Sequence, residues 1–265
     1  MANCLLLGSG GGGSSWLFDI PTMHANIFRG KYLGDHVTAE QFAAVVNGTF
    51  DDLYIGDYWT IPVTIDGTEK SINWRIADID YMLYNGSTQL TVHHLVIVPD
   101  TFLYISAMET NSSFEGGYYN CSFYNGDISK ARNAINAAFE NMVLTHQEFF
   151  ADITSAGRTL AAHVYEATVE LMNEYEVYGH AAYTVTNRGG GYYSDSVTEF
   201  GKTQFALFRM APRFINIRKS YWTRDLVDTN KWAIVGGFGA PASEVGSVTL
   251  AVRPYFLLGA AEESA

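Results

Sequence analysis

The sequence predicts an α+β domain of short antiparallel strands, two or more helices and long loops. Three features predict it. Apolar and polar residues alternate on both sides of Asp66-Gly67, a 3.6-residue apolar period crosses residues 127–143, and the last third holds short apolar stretches broken by Gly, Ser, Pro and Asn. With 265 residues, 48% hydrophobic and 17% charged, the chain can bury enough apolar surface to offset the entropy of ordering one large domain.

Residues 8–15 are all Gly or Ser and offer nothing to pack, so residues 1–15 read as a flexible tether. Residues 16–49 form an N-terminal docking segment. It carries a basic-aromatic patch, Phe28, Arg29, Lys31 and Tyr32, which serves either to dock a partner or as a plain lead-in to the domain. A short helix follows, because Thr38 and Gln41 have capping-box spacing, Phe42, Val45 and Val46 continue it, and Asn47-Gly48 stops it.

The main domain spans residues 50–259, and residues 260–265 form a tail. Asp66-Gly67 predicts a β-hairpin between residues 53–65 and 71–81, and residues 90–98 read as a third strand. Ile128, Ala131, Ile135, Phe139 and Met142 share one helical face. Thr145 and Glu148 repeat the capping spacing and predict a helical turn or two through Ile153. Residues 164–178 admit helix or strand, with 168–172 able to join the sheet. Residues 188–193 are a Gly-rich loop, and short strands are expected at 205–208, 214–217, 221–222, 232–235 and 248–252.

Charge and chemistry narrow the function. A net charge of -12 repels phosphate backbones, which excludes nucleic acid as a general partner. No apolar run is long enough to span a bilayer, and Met1 to Leu7 lacks the basic flank of a signal peptide, so synthesis in a cytoplasm without membrane insertion is expected. Cys4 and Cys121 suggest neither a disulfide framework nor a zinc site. Adjacent in a strand, His93 and His94 would point to opposite faces and share no ion. Asp51, Asp52, Asp57, Asp78 and Asp80 read as a solvated acidic face, with Asp78 and Asp80 placed compatibly with calcium but matching no EF-hand spacing. There is no G-x-S-x-G or H-E-x-x-H, and Cys121 has no His nearby in sequence. No catalytic residue, metal or cofactor is assigned. A carboxylate pair for glycan hydrolysis remains an alternative, because its geometry is spatial.

Four stretches, residues 72–80, 171–179, 221–225 and 252–256, occur in an order that resembles an uncharacterised domain family of gut Firmicutes and their tailed phages. That family looks related to the C-type-lectin fold shared with the sulfatase-modifying enzymes. Residues 28–34 and 48–59 are similar to the N-terminal part of phage structural proteins. The resemblance implies a virion surface protein, a head or tail fibre or decoration, whose C-type-lectin-like domain follows the docking segment. Its implied partners are phage structural proteins and a host cell-surface protein or glycan, and it implies a homo-oligomer, as a trimer. No paired cysteines follow Cys121, which departs from the oxidase chemistry of the sulfatase-modifying enzymes, and the sugar-binding calcium signatures of animal lectins are absent. In phage proteins of this fold the segment before the final strand forms the binding face, diversified in some by a retroelement. Here it covers residues 228–249 and implies ligand contacts at Asn230, Lys231, Trp232, Phe238, Ser243 and Glu244. Trp232 and Phe238 are equally readable as core. Trp74, Trp222, Arg224 and Arg253 read as scaffold. A capsid or tail cementing protein is the structural alternative.

Overall fold

Asp66 and Gly67 take φ of 49° and 74°, the backbone of a type I′ turn, and join β2 (Tyr58–Ile65) to β3 (Thr68–Ile79) in the expected hairpin. The computed structural model containing this hairpin is a mixed α+β fold with mostly strands, few helices and open sheets. It describes residues 24–261 apart from 87, 113, 115, 156, 157 and 185–202. The expected tether, most of the Gly-rich loop's neighbourhood including 188–193 itself, and residues 262–265 of the expected tail lie outside the described residues.

β1 (Tyr32–Gly34) lies parallel to β2 at one edge of a six-stranded sheet. Beyond β3 come β4 (His94–Pro99), the C-terminal β13 (Pro254–Gly259) and β8 (Val169–Leu171). The third strand thus begins at His94, later than expected. A five-stranded sheet has the order β11 (Pro241–Val245), β10 (Lys231–Val235), β9 (Tyr221–Asp228), β12 (Leu250–Val252) and β5 (Tyr104–Ser106). β6 (His146–Ser155) and β7 (Arg158–Ala167) form a separate hairpin.

The chain crosses from the five-stranded to the six-stranded sheet at Arg253, between β12 and β13. Its buried guanidinium donates to the Pro99 carbonyl at 2.9 Å, to the Tyr221 hydroxyl at 3.2 Å and to the Ile215 carbonyl at 3.4 Å. One apolar cluster runs through both sheets. In it Trp74 meets Phe139 and Phe256 edge-on at 5.5 and 5.8 Å, and Trp222 donates to the Ser106 carbonyl at 2.8 Å. Trp74, Trp222, Arg224 and Arg253 are all buried, as scaffold residues should be.

Helix α1 (Ala39–Val46) has both hydrogen bonds of the Thr38/Gln41 capping box, and Gly48 leaves it at φ 67°. Because Val45 lies in the common core and β1 belongs to the main sheet, the boundary drawn at residue 50 does not separate two packing units. Helix α2 (Gly117–Asn120) precedes a π-helical turn, Phe123–Asp127, which leads into α3 (Ile128–Phe139), the helix expected from the apolar period.

Two expectations fail. Residues 146–155 are strand, because the Thr145/Glu148 capping spacing competes with a full antiparallel partner in β7 and with alternating burial at His146, Glu148 and Phe150. Residues 205–208 and 214–217, expected as strands, are not strands: the chain there forms α5 (Ala206–Met210) and a 3₁₀ turn at Pro212–Phe214. The ambiguous stretch resolves into both types, β8 and then α4 (Glu174–Tyr178), which Asn173 and Glu176 open with a capping box and Gly179 ends at φ 78°.

Candidate functional site

The predicted contact segment folds as two successive hairpins. β10 pairs with β9 on one side and with β11 on the other, so β11 is the edge of its sheet. Residues Trp232–Val235 are buried in succession, the pattern of a strand covered on both faces. Trp232 is therefore core: it is 0% exposed and packs edge-on against Tyr118 at 6.2 Å, which corrects its expected role as a ligand contact. Lys231 is exposed at the start of the strand, while Ser243 and Glu244 are half-buried on β11 opposite Ala233 and Trp232. Asn230 is half-buried and donates to the Asn111 carbonyl at 2.8 Å, so its amide ties two loops together.

Phe238 is different. It stands at the β10–β11 turn with 96% of its surface exposed. Gly236 donates to the Ala240 carbonyl at 2.8 Å, Gly239 to the Gly236 carbonyl at 2.7 Å, and the Tyr178 hydroxyl to the Gly239 carbonyl at 3.0 Å. Gly239 takes φ 86°, and a Cβ there would lie 3.0 Å from the Asn216 Cβ, so the turn rests directly on the segment before β9. A braced turn thus holds a large apolar ring in water.

The N-terminal patch is largely occupied within the chain. Arg29 binds the buried carboxylate of Asp57 through Nη2 at 2.5 Å and also pairs with Asp52, while the Lys31 ammonium reaches Asp52 at 2.5 Å. Asp57 further accepts from the backbone of Lys31 at 2.7 Å and of Tyr54 at 3.0 Å. Phe28 bridges to Ile55 and packs against Phe214 at 6.0 Å. Of the four residues, Tyr32 keeps an exposed ring, tilted against Tyr58 at 5.6 Å.

Of the acidic residues expected on a solvated face, Asp51 and Asp52 are exposed, whereas Asp57, Asp78 and Asp80 are engaged inside the chain. Besides Asp57, Asp78 is buried at a bulge of β3 and accepts from the Ala206 backbone at 2.9 Å, and desolvation pushes its carboxyl up to about 6. The strand alternation expected of His93 and His94 does not apply, since only His94 is in the strand. Asp80 accepts from His93 Nδ1 at 2.8 Å and from the His94 backbone at 2.9 Å. Among the described residues no group of three or more His, Cys, Asp or Glu is arranged to hold a metal ion. The Cys121 thiol is buried and free, and desolvation pushes it up to about 12, away from nucleophilic use at neutral pH.

Sequence reasoning missed a buried ionic network. Arg224 on β9 donates to Glu148 on β6 at 2.7 Å and to Glu176 on α4 at 3.1 Å, with both carboxylates fully buried. Beside it, Asp225 accepts from the Glu174 backbone at 2.5 Å, and Glu174 accepts from the backbone of Ala182, Tyr183 and Thr184. Glu170 completes the cluster, paired with Arg132 and accepting from the Tyr118 hydroxyl at 2.9 Å. The sequence held one signal for it, the capping-box spacing at Asn173/Glu176, but nothing that pairs residues 148, 176 and 224.

Comparison with family models, with curated proteins and with solved structures gives no match. The network is closed to solvent and its carboxylates are held by arginine or backbone donors, an arrangement suited to fixing loops against the sheets. The braced turn carrying Phe238 is suited to contact.

Proposed function

We propose that the chain is a surface protein of a tailed-phage particle, a head or tail fibre or decoration. Its C-type-lectin-like domain presents the β10–β11 turn to a host cell-surface protein or glycan. Two things support this reading: the resemblance of the four sequence stretches to phage-associated domains, and the exposed ring of Phe238 on a turn fixed by three hydrogen bonds. The second carries it. Exposing a phenyl ring forgoes roughly 2 kcal/mol of burial, and a rigid turn gives that ring to a partner at little further entropic cost.

In this reading the contact set contracts to Phe238 at the β10–β11 turn, since Ser243 and Glu244 lie further along β11 opposite Ala233 and Trp232, and Lys231 stands at the end of β10 away from the turn. The protein works as a homo-oligomer, a trimer, because repeated weak contacts on a cell surface gain by avidity. Glu148 and Glu176, two carboxylates that the fold brings together, are both bound by Arg224 and buried, which gives the glycan-hydrolase alternative no support.

The test is binding of the labelled full-length protein to intact candidate host cells, comparing wild type with Phe238→Ala after both are shown to be folded. Saturable binding that drops at least about tenfold in the variant, a loss of some 1.4 kcal/mol, is expected. A well-folded oligomer that binds no cells would instead favour the cementing role, with Phe238 buried against a neighbouring subunit of the particle.

A further inference from the structure

Resting on the reading of the β10–β11 turn as a contact face, we infer that its partner is a protein surface with an apolar recess ringed by carboxylates. The observation is a local reversal of charge beside Phe238. The chain has a net charge of -12, yet residues 203–220 contain Arg209, Arg213, Arg218 and Lys219 and no Asp or Glu. All four are exposed, and none lies within ion-pair distance of a carboxylate among the described residues.

Three of these cations have a side-chain contact within the chain, and the fourth, Arg218, is fixed at its backbone. The Arg213 guanidinium lies over the rings of Phe28 and Phe214, at 5.1 and 4.7 Å, and the Lys219 ammonium lies 5.7 Å from the Phe102 ring. Arg209 Nη1 donates to the Gln204 carbonyl at 3.3 Å, and the Arg218 backbone donates to Asn216 Oδ1 at 2.6 Å. The turn that carries Phe238 is seated on the same segment: Gly239 approaches Asn216, and a Cβ on Gly237 would lie 3.8 Å from the Ser220 backbone nitrogen. The bare aromatic ring therefore stands on the stretch 216–220 that carries Arg218 and Lys219, with Arg213 and Arg209 further back along the same acid-free segment.

The surroundings of Phe238 select the partner's chemistry. Its neighbours in the turn are Gly236, Gly237, Gly239 and Ala240, none with a polar side chain. A saccharide stacked on a ring needs adjacent donors and acceptors for its hydroxyls; the turn itself supplies no polar side chain, and of the two polar residues beneath it, Asn216 and Ser220, Asn216 already spends its Oδ1 on the Arg218 backbone at 2.6 Å. An apolar recess needs only the ring. Aromatic residues and arginine are enriched in protein interfaces, and the cations speed encounter with an acidic partner while the ring supplies the buried contact.

The test uses defined polymers and fluorescence anisotropy: a poly(Glu,Tyr) copolymer as acidic-apolar probe, polyglutamate, and inorganic polyphosphate. Wild-type protein is expected to bind poly(Glu,Tyr) about tenfold more tightly than polyglutamate, and more weakly as salt rises. Phe238→Ala should erase the preference for the copolymer. The triple variant Arg213→Gln, Arg218→Gln, Lys219→Gln, first checked for an unchanged unfolding midpoint, should weaken both polypeptides. Binding to none of the polymers would overturn the inference, and so would tight polyphosphate binding indifferent to Phe238→Ala, which marks a general polyanion or glycan site. Cell binding separates the two readings. If it is lost in Phe238→Ala but intact in the triple variant, the contact face stands and the acidic partner falls. If Phe238→Ala leaves it intact, the contact face itself falls.

Discussion

Arg224 Nη2 lies 2.7 Å from Glu148 Oε2, joining residues 76 positions apart and tying the β6–β7 hairpin to the five-stranded sheet. Both side chains are buried, and Glu176 shares the same guanidinium at 3.1 Å. Arg224→Met would leave two buried carboxylates without their cation. A loss of about 3–5 kcal/mol is expected, against a smaller loss for Glu148→Gln, whose amide oxygen can still accept. Urea unfolding of the two variants checks this, and equal midpoints would show that the ion pair carries no special weight.

Stability should fall as pH rises from near neutral to mildly basic. Burial pushes the Asp225 carboxyl up to about 7 and the Asp78 carboxyl up to about 6, and raises Glu176 as well. A carboxyl with a raised folded pKa binds its proton more tightly in the native state. Its contribution is full below the unfolded value of about 4 and is lost as pH rises through the folded value. His94 acts oppositely: burial lowers its imidazole to about 4, so its contribution is full above about pH 6.5 and is lost on acidification. Between about pH 6.5 and 8 the His94 contribution is constant and Asp78 is already largely ionised, so the change comes from Asp225 and Glu176. The urea midpoint should drop across that window, and Asp225→Asn should flatten the drop. A midpoint that rises instead would contradict the assignment.

The two aromatic residues of the contact segment should separate cleanly. Trp232→Ala removes a fully buried indole and should cost about 3–5 kcal/mol, whereas Phe238→Ala should change stability by less than about 0.5 kcal/mol. Thermal unfolding of both variants decides the matter. A large loss for Phe238→Ala would mean that the ring is covered in solution.

What the sequence made legible was local. Asp66-Gly67 named its own turn, Thr38 and Gln41 named their helix start, and the apolar period of residues 128–139 named a helix face. Thr145 and Glu148 have equally good capping spacing, yet lie at the start of a strand, because the residues that decide are in β7 and at Arg224. Asp57 and Asp78 looked solvated for the same reason: their donors, Arg29 and the Ala206 backbone, lie 28 and 128 positions away. In the contact segment, alternation could not tell Trp232 from Phe238. Which one is exposed depends on β10 lying between β9 and β11 while the turn projects beyond them.

Asp57 makes the N-terminal patch testable as a latch. Its buried carboxylate holds the Arg29 side chain at 2.5 Å and the Lys31 backbone at 2.7 Å, and it also accepts from the Tyr54 backbone at 3.0 Å. Asp57→Ala removes all of these acceptors together and leaves part-buried donors unpaired, at a cost of about 1–3 kcal/mol for each buried group left unsatisfied. Among the described residues β1 is an edge strand paired with β2 alone, and besides Asp57 the segment is held by the Phe28–Ile55 bridge, the Arg29 backbone bond to the Ile55 carbonyl at 2.9 Å and the packing of Phe28 on Phe214. The segment should therefore open locally before the domain unfolds. Limited trypsin digestion reads this directly, since Arg29 and Lys31 are themselves cleavage sites. The variant should be cut there several-fold faster than wild type under conditions where the core remains intact, and Asp57→Asn, which keeps one acceptor oxygen, should fall between. Equal cleavage rates in all three would mean that packing of Phe28 on Phe214, rather than the carboxylate, holds the segment down.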